Sequence, residues 1–172
     1  GNYRRFIVPR NVRERLTMKN DSKRSANQID KEAMELVSRF EVGPLMDHLS
    51  LVGTGQVGEV MNTTGQSNLY YQWLSCLMKL LKPGQVVELG AAAGISTIMM
   101  AVSLPKSSKL YSVDNDPQAW RWMKEDYPQV IKVFGDDLDM KIWDGVNLLE
   151  TDVWFVDTIH VESQLRKEIE LY

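Results

Sequence analysis

The sequence predicts an α/β fold, a parallel sheet with helices on its faces, and three observations carry that expectation. Short runs rich in β-branched and apolar residues recur at 85–89, 109–113, 130–134 and 153–156. Segments with helical spacing or helix-starting residues lie between them, so strands and helices alternate along the chain. The first strand also runs straight into a loop of small residues, Gly90-Ala91-Ala92-Ala93-Gly94, and a helix-forming run from Ile95 to Val102 begins at once. Repeated units of this kind close through right-handed crossovers into a parallel sheet.

The elements follow in order. Residues 1–25 show no sustained periodicity and are interrupted by Pro9. They hold eight Lys/Arg against two Asp/Glu, so a chain of net charge −3 carries a basic arm and an acidic remainder. Such an arm is most simply a solvated tail, with nucleic acid or an acidic partner as the alternative. From Asn27 the pattern turns helical, with Ile29, Ala33, Leu36, Val37 and Phe40 on one stripe and Gly43-Pro44 as the stop. Residues 53–66 carry four glycines and read as a long functional loop. Tyr70, Trp73, Leu74, Leu77 and Leu81 mark a second helix, ended by Lys82-Pro83-Gly84, with Cys76 packed inside it.

Beyond that point come the strand at 85–89 with a helix over 94–103, then the strand at 109–113 with Asp116-Pro117 starting the next helix. The strand at 130–134 precedes a weaker helix near 138–143, and the strand at 153–156 leads to a last helix with Val161, Leu165 and Ile169 on one face. The division expected is a basic arm over 1–25, a helical extension with a covering loop over 26–84, and a sheet-bearing core over 85–172.

Composition narrows the class. A chain of 172 residues, 44% hydrophobic and 25% charged, is of a size and balance for one globular domain with a real core. No apolar run is long enough to span a bilayer, and the basic start has no signal-peptide core, so no membrane association is expected. A single cysteine excludes an internal disulfide and fits a reducing, cytoplasmic setting.

The chemistry centres on 86–96. Strand, tight loop and helix start make a corner where backbone N–H groups face a ligand and small side chains let it come close. A dinucleotide fingerprint would need G-x-G-x-x-G, but Gly90, Ala92 and Gly94 break that spacing and the acid, Glu88, precedes the loop. Ligands of open parallel sheets bind beyond the carboxyl ends of the strands. Every strand here ends in polar residues: Glu88, then Asp114-Asn115, then Gly135-Asp136-Asp137, then Asp157-Thr158-Ile159-His160. One such acid is commonly a helix cap. Four in register along one edge point to a binding site.

The E-x-G-x-x-x-G pattern of 88–94 resembles motif I of class I S-adenosylmethionine (SAM)-dependent methyltransferases, whose sheet is Rossmann-like. The stretches 88–97, 110–117 and 152–157 resemble the small-molecule O-methyltransferases related to the catechol and caffeoyl-CoA enzymes, and Met61-Asn62 with Gly65-Gln66 resembles the loop that covers the cofactor there. The resemblance implies SAM held by Glu88, Gly90, Ala91, Ala92, Gly94, Ser96, Asp114, Asn115, Asp136 and Asp137, with Met61 and Asn62 above it. Asp114 would accept from the ribose hydroxyls and the 135–137 turn from the adenine amino group. It further implies a magnesium ion on Asp157, and His160, three residues on, as the base for the hydroxyl of a small-molecule acceptor. The family's other metal ligands, an acidic pair after a fifth strand, have no counterpart in this sequence.

Four strands are read where that family has seven, so the C-terminal strands are missing and the last strand is left with an open edge. Such an edge is an aggregation liability, and another chain, as in a homo-oligomer, is one way to cover it. The sequence has no Asp/Asn-Pro-Pro-Tyr run and no Pro-Cys nucleophile, which sets aside amino- and cytosine-C5-methylating enzymes. Three other readings stay open: an RNA methyltransferase using the basic arm, a non-catalytic SAM-binding module and, most distantly, an NAD-dependent oxidoreductase.

Overall fold

The computed structural model describes residues 6–7, 25–38, 66–123, 126–158 and 161–172. In chain order its elements are β1 (Phe6–Ile7), α1 (Ala26–Val37), α2 (Gln66–Leu81), β2 (Gln85–Leu89), α3 (Ile95–Ala101), β3 (Lys109–Asp114), β4 (Val130–Phe134), β5 (Val153–Val156) and α4 (Glu162–Leu171), with 3₁₀ turns at Met140–Trp143 and Leu148–Glu150. They build one sheet in the order β1-β5-β2-β3-β4. The last four of these are parallel, and β1 runs antiparallel against β5. The fold is therefore Rossmann-like, as the alternation of runs implies.

Side-chain alternation along the strands splits the core into two layers. Val86, Leu110, Val153 and Phe155 face α2 and α3, where Leu74, Leu77, Met78 and Met100 meet them. Val87, Leu89, Tyr111, Val113 and Trp154 face the other way, onto Trp143 and Tyr172. Every residue of β2 is buried, which a central parallel strand covered on both faces requires. The outer strand β4 is largely exposed, with Phe134 at 65%. Helix α1 begins with a capping box, in which Gln28 N donates to Ser25 Oγ at 3.3 Å and Ser25 N to Gln28 Oε1 at 2.7 Å. It is tied to α2 where Trp73 Nε1 donates to Asp30 Oδ1 at 3.0 Å.

The structure departs from the sequence reading at five places. The helix expected after Asp116-Pro117 is absent: residues 117–122 are turns. Asp116 does accept from Gln118 N at 2.8 Å, but Trp120 N and Trp122 N donate to Ala92 O and Ala93 O, at 2.9 and 3.1 Å. Those bonds to the loop take donors that a helix would turn inward, and Trp120 sits at φ +58°, outside helical space. The helix expected over 94–103 is trimmed to 95–101, because Gly94 is left-handed at φ +92°. That near 138–143 is a single 3₁₀ turn.

In α4 the apolar stripe is not the packed face. Val161 and Ile169 are about half exposed, at 51% and 49%, while Glu168 is 2% exposed. Lastly, the edge of β5 is met by this chain's own N-terminal segment, Phe6 opposite Phe155 and Ile7 opposite Trp154, where the sequence left it open for a second chain. Among the described residues no helix is long and apolar enough to cross a membrane.

Candidate functional site

The corner after β2 is built around a buried carboxylate. Glu88 is completely buried on the α3 side of the sheet. Ser96 Oγ donates to its Oε1 at 2.5 Å, and Thr97 Oγ1 and Ser112 Oγ both donate to Oε2 at 2.6 Å. Trp120 Nε1 extends the chain by donating to Ser112 Oγ at 2.7 Å. Burial pushes the Glu88 carboxyl up to about 6; the three hydroxyls pull it back down, and the nearby Asp157 charge adds to the rise. Glu88 thus rivets the first turn of α3 to β2 and β3, and its oxygens are taken by protein donors. The same holds for Ser96, whose hydroxyl points inward to Glu88.

The loop itself is shaped by two left-handed glycines. Gly90 (φ +87°) lies so close to the exit of β5 that a Cβ would stand 2.4 Å from Asp157 O. Gly94 (φ +92°) is in the left-handed region that strains any side chain, and a Cβ placed there would also be crowded by Trp120 Cα at 3.0 Å and Met123 Cγ at 3.1 Å. Gly90 N and Ala91 N both donate to Val113 O, at 3.0 and 3.2 Å, and Asp157 N donates to Leu89 O at 2.9 Å. Ala91 and Ala93 are buried, while Ala92 is exposed at φ +48° and presents the loop's tip.

The acids of the next two strands stand beside that tip. Asp114, partly exposed, receives Ala92 N on Oδ2 at 2.7 Å and Asp116 N on Oδ1 at 2.8 Å. A carboxylate has about four acceptor positions, so Asp114 holds the loop and keeps capacity for a ligand hydroxyl. Asn115 is exposed next to it. Gly135 N donates to Asp114 O at 3.0 Å, which locks the turn after β4 against the end of β3. In that turn Asp136 is exposed and receives Leu138 N at 2.9 Å.

Asp137 points away from the corner. Gln164 Nε2 reaches its two oxygens at 3.4 and 3.3 Å, and its main-chain oxygen accepts from the Tyr172 hydroxyl. Burial and the neighbouring Glu168 carboxyl push Asp137 up to about 7.

The corner therefore brings together Gly90, Ala91, Ala92, Gly94, Asp114 and Asn115, with Asp136 and Asp157 at its rim. It turns Glu88, Ser96 and Asp137 to internal duties. Met61, Asn62 and His160 lie outside the described residues. Among the described residues, no group of three or more His, Cys, Asp or Glu side chains converges as a cation site would need. Asp157 is a lone carboxylate of the set the resemblance implies, and no step below is routed through a metal. Sequence reasoning missed Thr97, Ser112 and Trp120, although a serine inside the apolar run of β3 was a visible signal that something polar is buried opposite it.

A family model described as O-methyltransferase matches residues 37–154, well over half of the chain. The chain belongs to the O-methyltransferase family. A caffeoyl-CoA O-methyltransferase from Stellaria longipes is 32% identical to it over 74 residues, 43% of this chain and 31% of that relative. The chain thus spans about a third of the length of the curated relative it matches. The family match covers β2, β3 and β4 with the loops after them, and stops three residues short of Asp157. Within this O-methyltransferase family member, the stretch that carries the resemblance is also the stretch that forms the corner.

Proposed function

We propose that this chain binds SAM at the 90–94 corner and transfers its methyl group to a hydroxyl oxygen of a small molecule. The observation that carries the reading is the corner itself, an E-x-G-x-x-x-G loop with two left-handed glycines, an exposed tip at Ala92, and Asp114 beside it holding free acceptor capacity. The caffeoyl-CoA relative supports a small-molecule acceptor.

When bound, SAM supplies an electrophilic methyl on a sulfonium centre. The chain's own work is alignment and proton removal. The glycines at 90 and 94 allow the close approach that the methionine end needs, Asp114 accepts from the ribose hydroxyls, and Asp136 accepts from the adenine amino group. Holding an acceptor oxygen in line with the methyl replaces a bimolecular encounter with a near-unimolecular one. The acceptor proton must leave, and His160, three residues after Asp157, is the proposed base, an imidazole being a side chain suited to taking up a proton.

The test is methyl transfer from labelled SAM to a panel of phenolic, catechol and aliphatic hydroxyl acceptors, with and without added magnesium. Labelled product from a hydroxyl acceptor supports the reading. Transfer that occurs only to RNA and fades on deleting residues 2–24 would replace it with the RNA reading. Tight cofactor binding with no transfer to any acceptor would leave a SAM-binding module.

A further inference from the structure

One buried acid, behind the turn after β4, is not used by the proposed reaction. Glu168 sits on α4, a helix whose sequence E-I-E-L gives no hint of burial, yet it is 2% exposed. Its Oε1 accepts from Thr158 Oγ1 at 2.5 Å, one residue beyond Asp157. Among the described residues, its Oε2 is the buried side-chain atom that finds no donor. The acid that bears on it is Asp137 of the turn after β4, whose carboxyl is held against α4 by Gln164, one helical turn before Glu168. Two carboxylates cannot satisfy each other; one carboxyl and one carboxylate can.

We propose that Glu168 is a positioning residue that holds one proton jointly with Asp137 and so fixes the 135–139 turn, from which Asp136 faces the cofactor. This rests on the SAM reading above.

The surroundings fit a proton-holding clamp. From α4, Gln164 Nε2 donates toward both Asp137 oxygens. The hydroxyl of Tyr172 donates to Asp137 O and accepts from Trp143 Nε1, which stands 2.8 Å away on the 3₁₀ turn after Asp137. The Tyr172 ring packs on Trp154 of β5 at 4.7 Å between centroids. The turn is closed on itself by Leu138 N and Asp139 N, both donating to Asp136, at 2.9 Å each. The titratable groups that bear on Asp137 are Glu168 and Tyr172 from the α4 side and Asp136 from its own turn. Each acid among them disfavours a second negative charge, and burial acts in the same direction.

A carboxyl held up to about 7 in the folded chain, against about 4 when unfolded, binds its proton more tightly folded. The stability it gives is complete below about pH 4, is lost as pH climbs from there to about 7, and changes no further above that. Loss of the proton would set two carboxylates against each other and loosen the turn.

The experiment uses the full chain, Glu168→Gln and Glu168→Ala. Melting temperature is followed from pH 5 to 9, and calorimetric affinity for S-adenosylhomocysteine is measured at pH 6 and pH 8. Glutamine still accepts from Thr158 and donates permanently to the Asp137 carboxylate, so it mimics the protonated pair. The expected results are a wild-type melting temperature that goes on falling from pH 6 to about pH 7 and then levels, a Glu168→Gln profile that falls only up to about pH 6, where Glu88 titrates, and is flat above it, and a wild-type affinity that weakens several-fold from pH 6 to pH 8. Glu168→Gln should bind equally at both, and Glu168→Ala weakly at both. A Glu168→Gln profile that retraces the wild type would overturn the shared proton. A flattened melting profile with unchanged affinities would overturn the positioning role. No wild-type binding at either pH would overturn the SAM reading and the positioning role with it, while the melting profiles would still decide the shared proton.

Discussion

Two buried acids flank the corner, and they are satisfied in opposite ways. Glu88, at the end of β2, meets three hydroxyl donors and carries no direct carboxylate neighbour in its hydrogen-bond set. Glu168, on α4, meets one hydroxyl and a second carboxyl. Both are fully enclosed, so burial alone does not separate them. The supply of donors does. Where donors are plentiful an acid is a rivet, indifferent to what the cofactor does; where they run short, a proton shared with a second acid fills the gap and the pH sensitivity that burial gives both acids extends up to about 7.

Substitutions that attack the rivet should have the largest effect. Replacing Glu88 with Ala strands three buried hydroxyls and opens a cavity between α3 and the sheet, and we expect a loss of about 4 kcal/mol in urea unfolding. A loss below about 1 kcal/mol would mean that the hydroxyls find other partners, and the contrast between the two acids would fail. Gly90→Ala comes next. It places a Cβ against Asp157 O and forces a side chain into the left-handed region, for an expected cost of about 3 kcal/mol with cofactor binding abolished.

A third test sharpens the comparison through pH. Glu88 is raised from 4.5 to about 6 on folding, so the folded chain again binds its proton more tightly than the unfolded one. Stability from this group is complete below pH 4.5 and fades by about 2 kcal/mol as pH climbs to 6. Glu88→Gln should make the fall between pH 4.5 and 6 shallower while leaving in place the loss from the Asp137–Glu168 pair, which runs on to about pH 7, as read by urea midpoints across pH 4 to 8.

Smaller still is Ser112→Ala, which removes one donor to Glu88 and the acceptor of Trp120 Nε1, at an expected cost of about 1–2 kcal/mol. At the bottom, Arg166→Ala breaks an exposed pair with Glu162 and should cost no more than about 0.5 kcal/mol.

Much of this was legible in the residues. The four parallel strands were marked by β-branched and apolar runs, of which β2, β3 and β5 are the buried ones and β4 the exposed edge, and the loop by glycines whose conformations a side chain would resist. The rest depended on contacts between distant segments. A two-residue pairing such as β1 on β5 leaves no periodic trace. The failed helix after Pro117 is decided by amides that bond to Ala92 and Ala93 across the corner, which no local propensity reports.

The site was legible in part for the same reason. Glu88, Gly90, Gly94 and Asp114 stand where strand ends must place them, but the inward turn of Glu88 is set by Thr97 and Ser112, brought to it from α3 and β3. Glu168 was the hardest to see, since an acid in E-I-E-L reads as a solvated face. Its burial follows from where Tyr172 and Trp154 dock the helix, and the apolar Val161 and Ile169 are left outward as a consequence.

The central claim is that the 90–94 corner is a SAM site, and calorimetric titration of S-adenosylhomocysteine tests it most directly. It should be run at pH 6 on the full chain and on Asp114→Asn, with NADH beside it. The asparagine oxygen still accepts from Ala92 N, whereas its amide nitrogen gives up the bond from Asp116 N and the charge is lost, so the tie to the loop is kept and the ribose contact weakened. The account predicts saturable one-to-one binding that Asp114→Asn weakens about tenfold, worth about 1.4 kcal/mol, with no heat from NADH. Binding of NADH in place of S-adenosylhomocysteine, or S-adenosylhomocysteine affinity untouched by Asp114→Asn, would contradict it.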